Sequence, residues 1–81
     1  MPSIEERVLK SVRYILAVKD APLSSRLVED LFADSLDVVE LVADVETEFN
    51  ISIPDEEAVR IYTVQQLVDT VRFFCKGTMT D

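Results

Sequence analysis

The sequence predicts an all-α fold, a small four-helix bundle with three longer helices and one short one. Apolar residues recur at helical spacing in three separate stretches. Two S/T-x-x-E/Q capping boxes and one further Asp N-cap mark where helices start. The 81 residues hold one Gly and three Pro, too few for a fold of many short strands and turns. At 48% hydrophobic the chain folds rather than staying disordered. Its length suits one domain over residues 1–81 around a single core.

Ser3 to Glu6 forms the first capping box. Ile4, Val8, Val12, Ile15 and Leu16 follow on one face, widened by Leu9, and the helix is expected to end near Val18. Arg7, Lys10 and Arg13 lie on another side and read as a solvated basic flank. Residues 19–26, with Asp20, Pro22, Ser24 and Ser25, read as a loop. Leu23, Leu27, Val28 and Leu31 are expected to pin this connection to the core. A connection this long is uncommon in a small domain and leads into functional sites. This one leads to Asp34-Ser35-Leu36-Asp37.

Asp34 is the N-cap of the next helix, with Ser35 at its first position and Asp37 at its third. That helix is expected to run to Phe49. Val38, Leu41, Val42, Val45 and Phe49 form its core stripe. Asp37, Glu40, Asp44 and Glu48 form a carboxylate stripe. Leu36, Val39 and Ala43 lie between the two, where they either widen the core face or make a docking strip bordered by acids. Ile51 and Ile53 anchor an extended connector that ends at Pro54. Residues 55–60 read as a short helix with acids in its first turn. Thr63 to Gln66 is the second capping box. It opens a last helix carrying Val64, Leu67, Val68, Val71 and Phe74, with Lys76 and Gly77 as stop signals and residues 78–81 as a frayed tail.

Charge narrows the partners. The net charge of −8 argues against nucleic acid and anionic membranes. Between Glu29 and Glu57 there are eleven acidic residues and no Lys or Arg. That tract suits basic partners, and equally an ordinary solvated surface. No apolar run reaches membrane-spanning length, and the acidic start Met1-Pro2-Ser3-Ile4-Glu5-Glu6 carries no signal-peptide pattern. With Cys75 as the only cysteine, a reducing, cytoplasmic setting fits best.

Chemistry narrows the function. The chain has no histidine, so Ser35 lacks the usual base of a nucleophilic serine. A bundle of this size also offers no closed pocket, so no catalytic residues are expected. Asp30, Asp34 and Asp37 do not match the spacing of a calcium loop, and no metal site is expected. A serine hydroxyl at a helix N-terminus does permit a phosphate ester, because free N–H groups and the helix dipole favour an anion there by roughly 0.3–1 kcal/mol. The adjacent acids oppose it, and an ordinary first-turn serine reads the same way.

Residues 28–41, VEDLFADSLDVVEL, resemble the signature of the acyl carrier proteins. So do Ile53 to Ala58, the Thr63 to Gln66 helix start, and Glu5 to Val8. The resemblance spans nearly the whole chain. It implies a four-helix carrier that is not an enzyme, with 4′-phosphopantetheine attached to Ser35 by a phosphopantetheinyl transferase that uses coenzyme A. The arm's thiol would hold acyl groups as thioesters, shuttled between enzymes of fatty-acid biosynthesis. The same resemblance assigns Leu36, Asp37, Val39, Glu40, Ala43, Asp44 and Glu46 to docking on basic patches of those enzymes. It also implies a monomer whose helices can sequester an acyl chain.

Four features depart from the family pattern. Phe32 stands where the family usually has Gly. Ala43 is smaller than usual, Asp44 replaces a small apolar residue, and the connection from Val18 to Val28 is short. These departures bear on the partner set more than on tethering. They leave open a specialised carrier for polyketide, amino-acyl or lipid-A-type synthesis, or an acidic interaction subunit that does not need the arm.

Overall fold

The computed structural model describes residues 2–75, so Lys76, Gly77 and the tail at 78–81 lie outside the described residues. Four helices form: α1 Ile4–Leu16, α2 Ser35–Phe49, α3 Asp55–Ala58 and α4 Val64–Phe74. Among the described residues, extended pairing is confined to one antiparallel bridge between Arg26 and Thr63. No helix among them is long and apolar enough to cross a membrane.

The helices start where side chains satisfy orphan N–H groups. The Ser3 hydroxyl accepts the Glu6 N–H, and both Asp34–Asp37 and Thr63–Gln66 form reciprocal capping boxes. α1 stops two residues before the expected Val18. Ala17 turns left-handed at φ 54°, and the Val18 N–H returns to the Arg13 carbonyl, closing a Schellman-type end. α2 ends in the same way at Asn50, a residue that tolerates this conformation.

α1 packs against both α2 and α4. Val8, Val12, Leu41, Val45, Val64, Leu67, Val68 and Val71 are fully or almost fully buried, and Leu27, Ile53 and Cys75 close the core from the connections. Each full burial of a Val- or Leu-sized side chain contributes about 1.5–3 kcal/mol. Ile51 packs on this core from the connector, as expected.

The long connection is stitched to the start of α4. Leu27 N–H donates to the Tyr62 carbonyl at 2.8 Å. Val64 and Gln65 donate to the carbonyls of Ser25 and Leu23, so two otherwise unpaired N–H groups of α4 are satisfied from outside the helix. Leu23, Leu27 and Leu31 do pin the connection, but Val28 is exposed. The bond to Tyr62 ties the backbone at Leu27, whose side chain is buried, and the adjacent Val28 faces solvent.

Arg7 also departs from expectation. It is not part of a solvated flank, because its guanidinium crosses to α2. Nε donates to Glu48 Oε2 at 2.9 Å, Nη2 donates to the Glu48 carbonyl at 3.0 Å, and the guanidinium sits 4.3 Å from the centre of the Phe49 ring. α2 has no basic residue in its own last turn, so Arg7 provides the positive charge that its C-terminal carbonyls favour.

Candidate functional site

Residues 26–34 deliver Ser35 to the surface. The Asp30 carboxylate accepts the Arg26 backbone N–H at 2.8 Å and two guanidinium hydrogen bonds at 3.2 Å. These bonds from Arg26 hold the Asp30 carboxyl below its ordinary value, the side-chain bond contributing most. Asp30 and Leu31 donate back to the Arg26 carbonyl, and Phe32 donates to Val28, so the segment coils into a tight turn. Ala33 is buried under it and donates to the Leu27 carbonyl at 2.9 Å.

Phe32 ends that turn at φ 61°, a left-handed position. Glycine adopts it without steric penalty, whereas a β-carbon costs about 1–2 kcal/mol. The backbone therefore supplies a physical reason for glycine at this position, and Phe32 occupies it as a residue 85% exposed.

Asp34 and Asp37 satisfy each other's N–H groups, at 2.8 and 3.1 Å. Ser35 is exposed at the first helical position. The N–H groups of Ser35 and Leu36 have no intrahelical partner and lie at the positive end of the dipole. Asp37 is half-buried and spent on the cap.

Along the outer face of α2, Leu36 is 70% and Val39 64% exposed, and Glu40 and Ala43 are exposed beside them. Asp44 is half-buried. Glu46 is half-buried too, and its Oε2 accepts the Ile53 N–H at 2.7 Å, fastening the connector to α2. Val59 at the C-terminal end of α3 and Tyr62 after it are exposed. Sequence spacing did not single them out, because neither belongs to a periodic helical face.

Between α2 and α3 lies a groove of about 320 Å³ lined by Val38, Val39, Val42, Ala43, Ile53 and Val59, among others. Val38 and Val42, expected in the core stripe, are half-buried because they form its wall. A larger groove of about 730 Å³ between α1 and α2 has charged walls of both signs, including Lys10, Arg13, Asp44 and Glu48, and Ser35 lines neither groove.

A family model described as a phosphopantetheine attachment site matches residues 6–71. Among solved structures, one assigned as an acyl carrier protein, Rv0033 from Mycobacterium tuberculosis, superposes with a TM-score of 0.85 at 30% identity. The match covers 88% of this chain and 97% of that one. The geometry fits the prosthetic group that the family carries. A phosphodiester on the exposed Ser35 hydroxyl would be held by the Ser35 and Leu36 N–H groups, which have no intrahelical partner, and the carboxylates beside it are already engaged in the cap. The chain belongs to the phosphopantetheine-binding acyl carrier family, and it is a carrier with covalently attached 4′-phosphopantetheine rather than an enzyme.

Proposed function

We propose that Ser35 bears the arm and that the chain carries acyl groups between enzymes of fatty-acid biosynthesis in the cytoplasm. The observation that carries this reading is the exposed Ser35 hydroxyl at the first position of a firmly capped helix, three residues beyond a tight turn. When bound, the arm supplies a thiol that holds acyl groups as thioesters. The chain's own residues keep Ser35 accessible, stabilise the phosphodiester, and present α2.

On α2, Leu36, Val39, Glu40 and Ala43 form the outward docking strip, with Asp44 at its edge. Asp37 and Glu46 contribute charge to partners, while their hydrogen bonds also hold the helix start and the connector in place. The apolar groove between α2 and α3 suits an acyl chain, at about 0.8 kcal/mol for each CH₂ it buries. A second reading, a carrier specialised for polyketide, amino-acyl or lipid-A-type synthesis, is favoured by the exposed Phe32 ring beside the attachment point.

Intact-mass analysis of the apo protein incubated with coenzyme A and a broad-specificity transferase tests the attachment. One arm is expected on the wild type and none on Ser35→Ala. No added mass on the wild type overturns the assignment. Mass spectrometry of the native protein then decides the cargo, with a fatty-acyl chain on the arm supporting the first reading and an amino-acyl or polyketide group the second.

A further inference from the structure

We propose that Phe32 is a specificity-determining residue for arm attachment, an aromatic anchor by which the transferase that esterifies Ser35 holds this chain. The inference rests on Ser35 as the attachment residue.

The starting point is strain that folding does not recover. Three non-glycine residues among those described have positive φ: Ala17, Phe32 and Asn50. Ala17 and Asn50 terminate α1 and α2, where a left-handed residue is the usual stop. Phe32 has the largest side chain of the three and is the one with its ring in solvent. At 85% it is more exposed than any other large apolar side chain among the described residues. A residue that strains the backbone and leaves its ring in water is disfavoured in the free chain, and sites of this kind point to a use in a complex.

Position identifies the partner. Phe32 precedes Ser35 by three residues, which span at most about 11 Å of chain. An enzyme that brings its reacting centre to Ser35 Oγ must seat its surface over that radius. Enzymes that act on the thiol dock along α2 as well, but their reacting centre meets the far end of the arm and does not have to close over Ser35 Oγ and the turn before it. In the transfer, Ser35 Oγ bonds to the coenzyme A phosphorus that bears pantetheine, and the pyrophosphate P–O bond breaks. Adenosine 3′,5′-bisphosphate leaves with that bond's electron pair, and the serine proton passes to a base of the transferase or to solvent.

Charge describes the partner's face. Arg26 pairs with Glu29 and Asp30 in the turn that ends at Phe32, and the surroundings stay net acidic through Asp34 and, along α2, Asp37 and Glu40. The matching surface is an apolar cup with a basic rim. The ring fills the cup, Leu36 extends the apolar contact, and a rim Arg or Lys can stack on the ring.

Steady-state kinetics with apo protein, coenzyme A and a transferase that modifies the wild type test the inference. Phe32→Gly is expected to raise the KM for the carrier about tenfold or more at unchanged kcat, as loss of a buried aromatic predicts. Its Tm is expected to rise by roughly 2–8 °C, the released strain being partly offset by the chain entropy that glycine adds. Phe32→Tyr should restore KM, and Phe32→Ala should share the high KM without the gain in Tm. A KM for Phe32→Gly within about twofold of wild type, a fall in kcat at unchanged KM, or a Phe32-dependent dimer that buries the ring overturns the proposal. If no transferase, including a broad-specificity one, adds an arm to the wild type, the Ser35 assignment fails and this inference falls with it. If wild type and Phe32→Gly are modified alike, only the role of Phe32 fails.

Discussion

Arg7→Ala removes a cross-helix clasp whose parts can be weighed separately. The ion pair to Glu48 involves side chains that are 26% and 46% exposed and is worth about 0.5–1 kcal/mol. The hydrogen bond to the Glu48 carbonyl adds roughly 0.5–1 kcal/mol, because it satisfies a C-terminal acceptor of α2. Stacking on Phe49 at 4.3 Å adds about 0.5–1 kcal/mol. The total is about 2 kcal/mol, a large share of the roughly 4–12 kcal/mol expected for a domain of this size. At about 4–8 °C per kcal/mol, Tm should fall by roughly 8–16 °C. Glu48→Gln keeps the carbonyl and the Phe49 ring in place, so it should cost less than half as much. Urea unfolding of both single variants and the double variant gives the coupling, expected at or below about 1 kcal/mol. Most of the Arg7→Ala loss should survive high salt, which screens the ion pair but not the carbonyl bond or the stacking. A loss for Arg7→Ala no larger than that for Glu48→Gln would refute the clasp and return Arg7 to a solvated flank.

The turn before Ser35 should register in an acid titration. The Asp30 carboxyl is held below its ordinary 3.8 by Arg26. The unfolded chain therefore binds more protons, and the stabilisation is complete above pH 3.8 and lost as pH falls through the lower folded value. The Tm gap between wild type and Asp30→Asn should close on acidification through that window, and a gap that widens would contradict the assignment. The acidic tract should also respond to ions. Contacts from Arg7 to Glu48 and from Arg26 to Glu29 and Asp30 address three of its eleven acids. Tm is accordingly expected to rise from low salt to moderate magnesium as self-repulsion is screened, and a flat response would count against self-repulsion as a significant term.

Local rules made much of this molecule legible. Helix starts were readable because the groups that satisfy the first N–H donors lie within three residues of them, as in Asp34–Asp37 and Thr63–Gln66. The bounds of α2, and with them the place of Ser35 at its first turn, followed from Asp34 and from the spacing of Val38, Leu41, Val45 and Phe49. The end of α1 was less legible, because nothing in Ala17-Val18 announces a left-handed stop. That conformation depends on where the chain must turn to meet α4.

The amino-acid sequence by itself determined which segments are helical, which faces are apolar, and that an acidic helix begins at a serine, since capping, periodicity and charge are local properties. Tertiary structure decided what each exposed-looking residue does. It drew Arg7 across to the end of α2, turned Val28 out by tying Leu27 to Tyr62, and spent Glu46 on the Ile53 N–H. It also made Phe32 a left-handed, exposed aromatic beside Ser35. These outcomes depend on contacts between segments far apart in the chain and on the backbone angles those contacts impose, which spacing along the sequence does not carry.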